Sequence, residues 1–172
     1  MFLKEAFAEA REASVRPRDF FGRKPEAESW VAPAKRLAFW AFVAGLLDSL
    51  VVGMGVSDRP GGVLLNILTP VLFPFFGLAA GAVATLLLHA AWKVMGGKAV
   101  LAASWRIAAA VSFTMPLDVL TGELGVMSLL PAALRYWLLA VAAREVHGLA
   151  RWKAWTVTGA LGLLHVVAVA MF

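Results

Sequence analysis

The sequence predicts an all-α polytopic membrane protein: a five-helix transmembrane bundle preceded by a short amphipathic segment. Five apolar stretches carry this prediction, at 37–55, 63–91, 99–120, 124–143 and 155–172. Each is about as long as the ~20 residues of helix that cross a hydrocarbon core of ~30 Å. None shows the period-two alternation of a membrane barrel strand. The loops between them also alternate in charge, in step with the stretches. Composition agrees, since 61% of the residues are hydrophobic and the mean hydropathy is +0.79, well outside soluble usage. The spans take up most of the chain, which divides into a cytoplasmic amphipathic and basic tail at 1–36 and a membrane domain at 37–172.

Loop charge sets the orientation, because cytoplasmic loops collect Lys and Arg. Ahead of the first span lie Lys4, Arg11, Arg16, Arg18, Arg23, Lys24, Lys35 and Arg36. The first loop offers Asp58 and Arg59, which cancel; the second has Lys93 and Lys98 and no acid. Asp118 and Glu123 flank the third, whereas the fourth carries Arg144, Arg151 and Lys153 against Glu145 alone. The alternation closes with an odd number of spans, which places the amino end in the cytoplasm and the carboxyl end outside. Met1–Glu12 is charged and lacks the apolar core and cleavage site of a signal peptide, so the spans themselves are expected to target the protein.

Within the first span, Gly45, Ser49 and Gly53 recur at intervals of four, and the second carries Gly77 and Gly81. Such small residues let helix backbones approach closely in lipid, within one bundle or between copies in a homo-oligomer. The second stretch also holds Pro70 and Pro74, so a kink is expected there. That kink is open to two readings, a bent packing helix or a hinge beside a cavity.

Ionisable groups are costly in hydrocarbon and therefore mark contacts or pathways. Asp48 and Arg135 each fall about eleven residues into a span, near the midplane at ~1.5 Å per residue. They form a candidate ion pair, which His165, at similar depth, could join. Nearer the cytoplasmic boundary, His89, Arg106, Arg144 and His147 form a candidate polar cluster. Its readings are interfacial anchoring or headgroup binding. The three histidines come from different helices without the close spacing of a metal motif, so no metal or other cofactor is expected. The chain has no cysteine, and no hydrolase or phosphate-loop motif is found. Enzyme activity and nucleic-acid binding are therefore not expected.

In the tail, Phe2, Leu3, Ala6, Phe7, Ala10 and Ala13 recur at helical spacing, predicting a short helix on the membrane surface or on the bundle. Phe20 and Phe21 follow, flanked by Arg16 and Arg18. With Lys93, Lys98, Arg151 and Lys153 they are the candidate contacts for a partner protein or for lipid.

The order of several short elements resembles the Yip domain proteins, five-span membrane proteins known as partners of Ypt/Rab GTPases. Pro17, Phe20 and Phe21 resemble the family's segment before the first span. His89, with Gly96-Gly97-Lys98, is similar to the inner end of the second span and its loop. Arg106 with Pro116 is similar to the third span, and Arg144–Leu149 with Lys153-Ala154 to the last loop. Where relatives often carry Tyr-Ala before the third-span proline, this chain has Ser112-Phe113. The resemblance implies a five-span fold acting by binding rather than catalysis. The Ala-, Arg- and Trp-rich composition suggests a bacterial inner-membrane member.

Two functions follow as expectations. One is an adaptor or organiser that binds a partner protein or anionic lipid headgroups at the cytoplasmic face. The other is a small oligomeric transporter, channel or lipid-handling protein using the midplane polar site.

Overall fold

The computed structural model describes residues 2–23, 29–56 and 62–171, and the side chains up to 167. Lys24, Asp58, Arg59 and Gly61 lie outside the described residues. All regular structure within them is helical: α1 (Phe2–Val15), α2 (Pro17–Gly22), α3 (Val31–Gly53), α4 (Gly62–Val94), α5 (Leu101–Val111), α6 (Met115–Thr121), α7 (Leu129–Glu145) and α8 (Arg151–Met171). Three helical segments are long and apolar enough to cross a membrane: Val31–Gly53, Gly62–Val94 and Gly125–Glu145. Among the described residues, three helices rather than the expected five meet that length and apolarity. The other two expected stretches fall on α8 and on an interrupted path through α5 and α6.

The interruption has a local cause. Pro116 has no N–H to give the carbonyl of Ser112, so the helix tightens to a 3-10 turn over Ser112–Thr114. There the Met115 amide bonds to the Ser112 carbonyl instead. Ser112 and Thr114 add hydroxyl bonds to the carbonyls of Ala109 and Val111, at 2.7 and 2.9 Å. Helical backbone thus continues from Leu101 to Thr121, with the turn inserted midway.

α3 and α4 form an antiparallel pair with a seam of small residues. A Cβ at Gly77 would lie 2.6 Å from Ala41 Cβ, and one at Gly45 would lie 2.9 Å from both Pro70 Cα and Phe73 Cβ. A Cβ at Gly81 would collide with Leu37. Without those methyls the two backbones meet along the seam, and dispersion contacts hold them in the absence of a water-driven force. α4 stays helical through both prolines. Pro70 leaves the carbonyl of Asn66 without its usual helical donor; Ser49 Oγ supplies a bond of 2.7 Å, and Asn66 Nδ2 returns one of 3.2 Å to the Ser49 carbonyl.

The remaining helices complete the bundle. Trp105 Nε1 donates to the Trp30 carbonyl at 3.0 Å, placing the starts of α3 and α5 at one end. The Lys98 amide donates to the His147 carbonyl at 3.0 Å, bringing the α4–α5 and α7–α8 loops to that same end. The opposite faces of α4 and α8 stay apolar and exposed, with Val71, Phe75, Phe76, Leu163 and Leu164 outward. These are the surfaces that lipid would cover.

The tail is folded onto this bundle. Ala6 and Ala13 are buried, while the rings of Phe2 and Phe7 stand edge-on to Phe39 at 5.6 and 6.2 Å. Glu9 pairs with Arg36 at 2.6 Å, tying α1 to the first turns of α3. Burial raises the Glu9 pKa, and Arg36 opposes that rise. Proline at the first position starts α2. Between the two expectations for the tail helix, the structure places it on the bundle. α3 also begins at Val31, ahead of the expected residue 37.

Candidate functional site

The end of the bundle that carries both loops holds a buried polar cluster. His89 lies near the end of α4, Ser104 in the first turn of α5, and His147 just past α7. Ser104 Oγ lies 2.9 Å from His89 Nδ1 and 3.0 Å from His147 Nε2, so one hydroxyl bridges two imidazoles. A serine has one proton to give, so one ring nitrogen must donate to Oγ while the other accepts from it. The shared hydroxyl therefore ties the tautomers of the two rings together.

His147 is fully buried, as are Ser104 and Trp92. Its ring lies 4.6 Å, centroid to centroid, from the Trp92 indole. Among the described residues, His147 Nδ1 and Trp92 Nε1 are buried without a hydrogen-bond partner. Burial first, then the neighbouring His89 and Lys93, push the His147 pKa down to about 4. The ring is therefore neutral at pH 7.

Backbone bonds fix the loops around the cluster. Gly96 and Gly148 turn with φ of +94° and +66°, a region other L-residues rarely adopt. The Gly97 amide donates to the Trp92 carbonyl at 2.7 Å. A Cβ at Gly97 would sit 2.7 Å from that oxygen and 2.9 Å from His147 Nδ1. Lys153 Nζ donates to the Met95 carbonyl at 2.9 Å, fastening α8 to the other loop.

Of the four residues expected in this cluster, His89 and His147 are brought together. Arg106 is two residues beyond Ser104 on the same helix, about 200° around it. It lines a separate pocket with Glu9, Phe20, Phe21 and Arg36. Arg144 is half-buried in the last turn of α7, and its carbonyl accepts from the Gly148 amide. Ser104 is an addition to the expected set, because a serine within an apolar helix carries no signal of its own.

Arg135 occupies a second polar level. Its Nε donates to Thr114 Oγ1 at 2.8 Å, and its guanidinium pairs with Asp118 on α6. The acid set against Arg135 is thus Asp118, across the turn between α6 and α7. Asp48, the acid expected there, is buried on α3 at 3% exposure. His165 is half-buried, its ring 6.0 Å from that of Tyr136. Arg135 and Tyr136 line a cavity of about 290 Å³ between α4, α5, α7 and α8.

The expected contact residues divide. Phe21 is 3% exposed and packs in the core, so it is not displayed for a partner, whereas Phe20 beside it is half-buried. Lys153 is committed to Met95. Arg16, Arg18, Lys93, Lys98 and Arg151 are exposed. Among the described residues, no group of three or more His, Asp or Glu side chains could hold a metal ion. The chain matches no protein-family model, no curated protein and no solved structure.

Proposed function

We propose that this chain is a non-enzymatic, five-span integral membrane protein, Yip-like in organisation, whose basic end organises anionic lipid headgroups at the cytoplasmic face. One observation carries this reading: Arg16, Arg18, Lys93, Lys98 and Arg151 are all exposed and come from separate parts of the chain. The loop contacts that join Lys98 to His147 and Lys153 to Met95 draw most of these parts to one end. Each such cation near an anionic leaflet contributes about 1 kcal/mol. Burial of Phe21 favours headgroups over a partner that docks on the phenylalanine pair.

In this reading the α5–turn–α6 path and α8 are the third and fifth spans. Leu101 to Thr121 extends ~30 Å at ~1.5 Å per residue, long enough to cross. The positive-inside rule then places the basic end in the cytoplasm of a bacterial cell and the carboxyl end in the periplasm.

Lipid enrichment tests the function. Protein reconstituted in mixed phosphatidylglycerol and phosphatidylcholine vesicles is expected to enrich the anionic lipid at low salt and to lose most of that enrichment at high salt. The triple variant Lys93→Gln, Lys98→Gln, Arg151→Gln should lose most of the salt-sensitive enrichment. Equal enrichment by the variant would overturn the reading. A carboxyl-terminal reporter active only in the cytoplasm would remove the five-span topology.

A further inference from the structure

The cavity beside Arg135 lies within the depth of the helices, running from Met115 and Arg135 to Leu87 and Leu88 next to His89. Its walls are mostly apolar, with Leu37, Leu88, Leu139 and Leu161 contributing from four helices and Ser112 and Tyr136 adding polar atoms. Ala80, Ala84 and Leu87 of α4 line it and are also exposed, so it opens sideways on the lipid-facing surface. A sideways opening at that depth meets acyl chains rather than water.

Arg135 is the one ionised side chain among the described residues that line the cavity. Thr114 and Asp118 each engage one edge of its guanidinium, which holds the group in place. A guanidinium has five N–H donors, so these two contacts leave donors that can face the cavity. The pairing also makes the charge tolerable at this depth. A mostly apolar cavity with the remaining N–H donors of a fixed guanidinium at one side is complementary to an amphiphile with a phosphate head.

We propose that this groove binds one acyl chain of a phospholipid, with the lipid phosphate hydrogen-bonded to Arg135. Asp118 and Thr114 are positioning residues that hold the guanidinium toward the phosphate. The site is independent of the basic end: it uses none of the exposed cations there, and an enclosed contact resists the salt that screens surface charge.

The full-length protein, purified in mild detergent and washed at high salt, is mixed with dioleoyl phosphatidylglycerol or with dioleoylglycerol. Native mass spectrometry then counts bound lipid. One phosphatidylglycerol per chain is expected, retained about tenfold better than dioleoylglycerol. Ala84→Phe fills the mouth from an exposed position, so it should fold normally and lose both lipids. The double variant Arg135→Gln, Asp118→Asn leaves no orphan carboxylate and should hold the two lipids equally. Unchanged retention in Ala84→Phe overturns the proposal, as does a wild-type protein that keeps neither lipid. A dimer that Ala84→Phe dissociates without loss of lipid also overturns it, by making a second copy of the chain the occupant. Loss of salt-sensitive enrichment in the Lys93/Lys98/Arg151 variant leaves this result untouched, so the two readings fail separately.

Discussion

His147 stacks at a tilt against Trp92, with ring centroids 4.6 Å apart, and its Nε2 is held by Ser104 Oγ at 3.0 Å. One imidazole thereby joins three parts of the chain: the end of α4, the start of α5, and the loop after α7. Stability at this end should therefore follow the protonation of that ring.

A histidine whose folded pKa is depressed binds fewer protons folded than unfolded at intermediate pH. With His147 moved from 6.5 down to about 4, its stabilising contribution is full above pH 6.5. The contribution falls as pH drops through that window and levels off below about 4. At pH ~5 the loss is ~2 kcal/mol. Thermal unfolding in detergent micelles should show a lower Tm at that pH than at neutral pH, and His147→Gln should flatten the difference.

Ser104→Ala removes both bridging bonds and strands His147 Nε2 in the interior. An orphaned buried group costs ~1–3 kcal/mol, so a clear fall in Tm is expected by calorimetry. An unchanged Tm would mean that the bridge contributes nothing.

Gly97→Ala should destabilise the protein, because its methyl would press on the Trp92 carbonyl and on His147 Nδ1. Gly22→Ala is the control, since nothing lies within 4 Å of a Cβ there. Hydrogen exchange of the Lys98 amide, which bonds across to His147, should speed up in the first variant and not in the second.

In the α3–α4 seam, Gly77→Leu forces a branched side chain against Ala41. Overpacking of this kind costs ~1–3 kcal/mol or more. Pro70→Ala restores a helical amide and competes with Ser49 for the Asn66 carbonyl, a much milder change. Resistance to unfolding in dodecyl sulfate should rank wild type and Pro70→Ala well above Gly77→Leu.

Arg135→Gln leaves Asp118 without its cation, and removing one partner of a part-buried pair is worse than removing both. Adding Asp118→Asn should recover part of the lost stability, giving a positive coupling in a double-mutant cycle. Additive losses would mean that the pair is not coupled.

Hydrophobic length makes α3, α4 and α7 legible in the sequence, because an apolar run of that size has few alternatives in a bilayer. The third stretch reads as equally continuous. Hydropathy is blind to the missing amide of Pro116, which tightens Ser112–Thr114 into a narrower turn. Depth counting brings His89 and His147 to one level, and they do meet. It does not show that Arg106 faces the tail, because depth ignores the angle around the helix. The same counting matches Arg135 with Asp48 at the midplane and passes over Asp118, which falls at the end of its stretch. The short connection between α6 and α7 returns the chain beside itself, and that nearness sets Asp118 against Arg135.

The Ser104 bridge also has a bearing on synthesis. His89 and Ser104 are made well before His147, and the ring that completes their bond arrives only after α7. A nascent chain stopped at Glu145 carries two polar groups on an otherwise oily surface, with the Lys98 amide lacking the carbonyl it bonds in the finished fold. Emergence of the last loop conceals all three at once. Synthesis of the α7–α8 loop is thus the step that closes this end of the bundle.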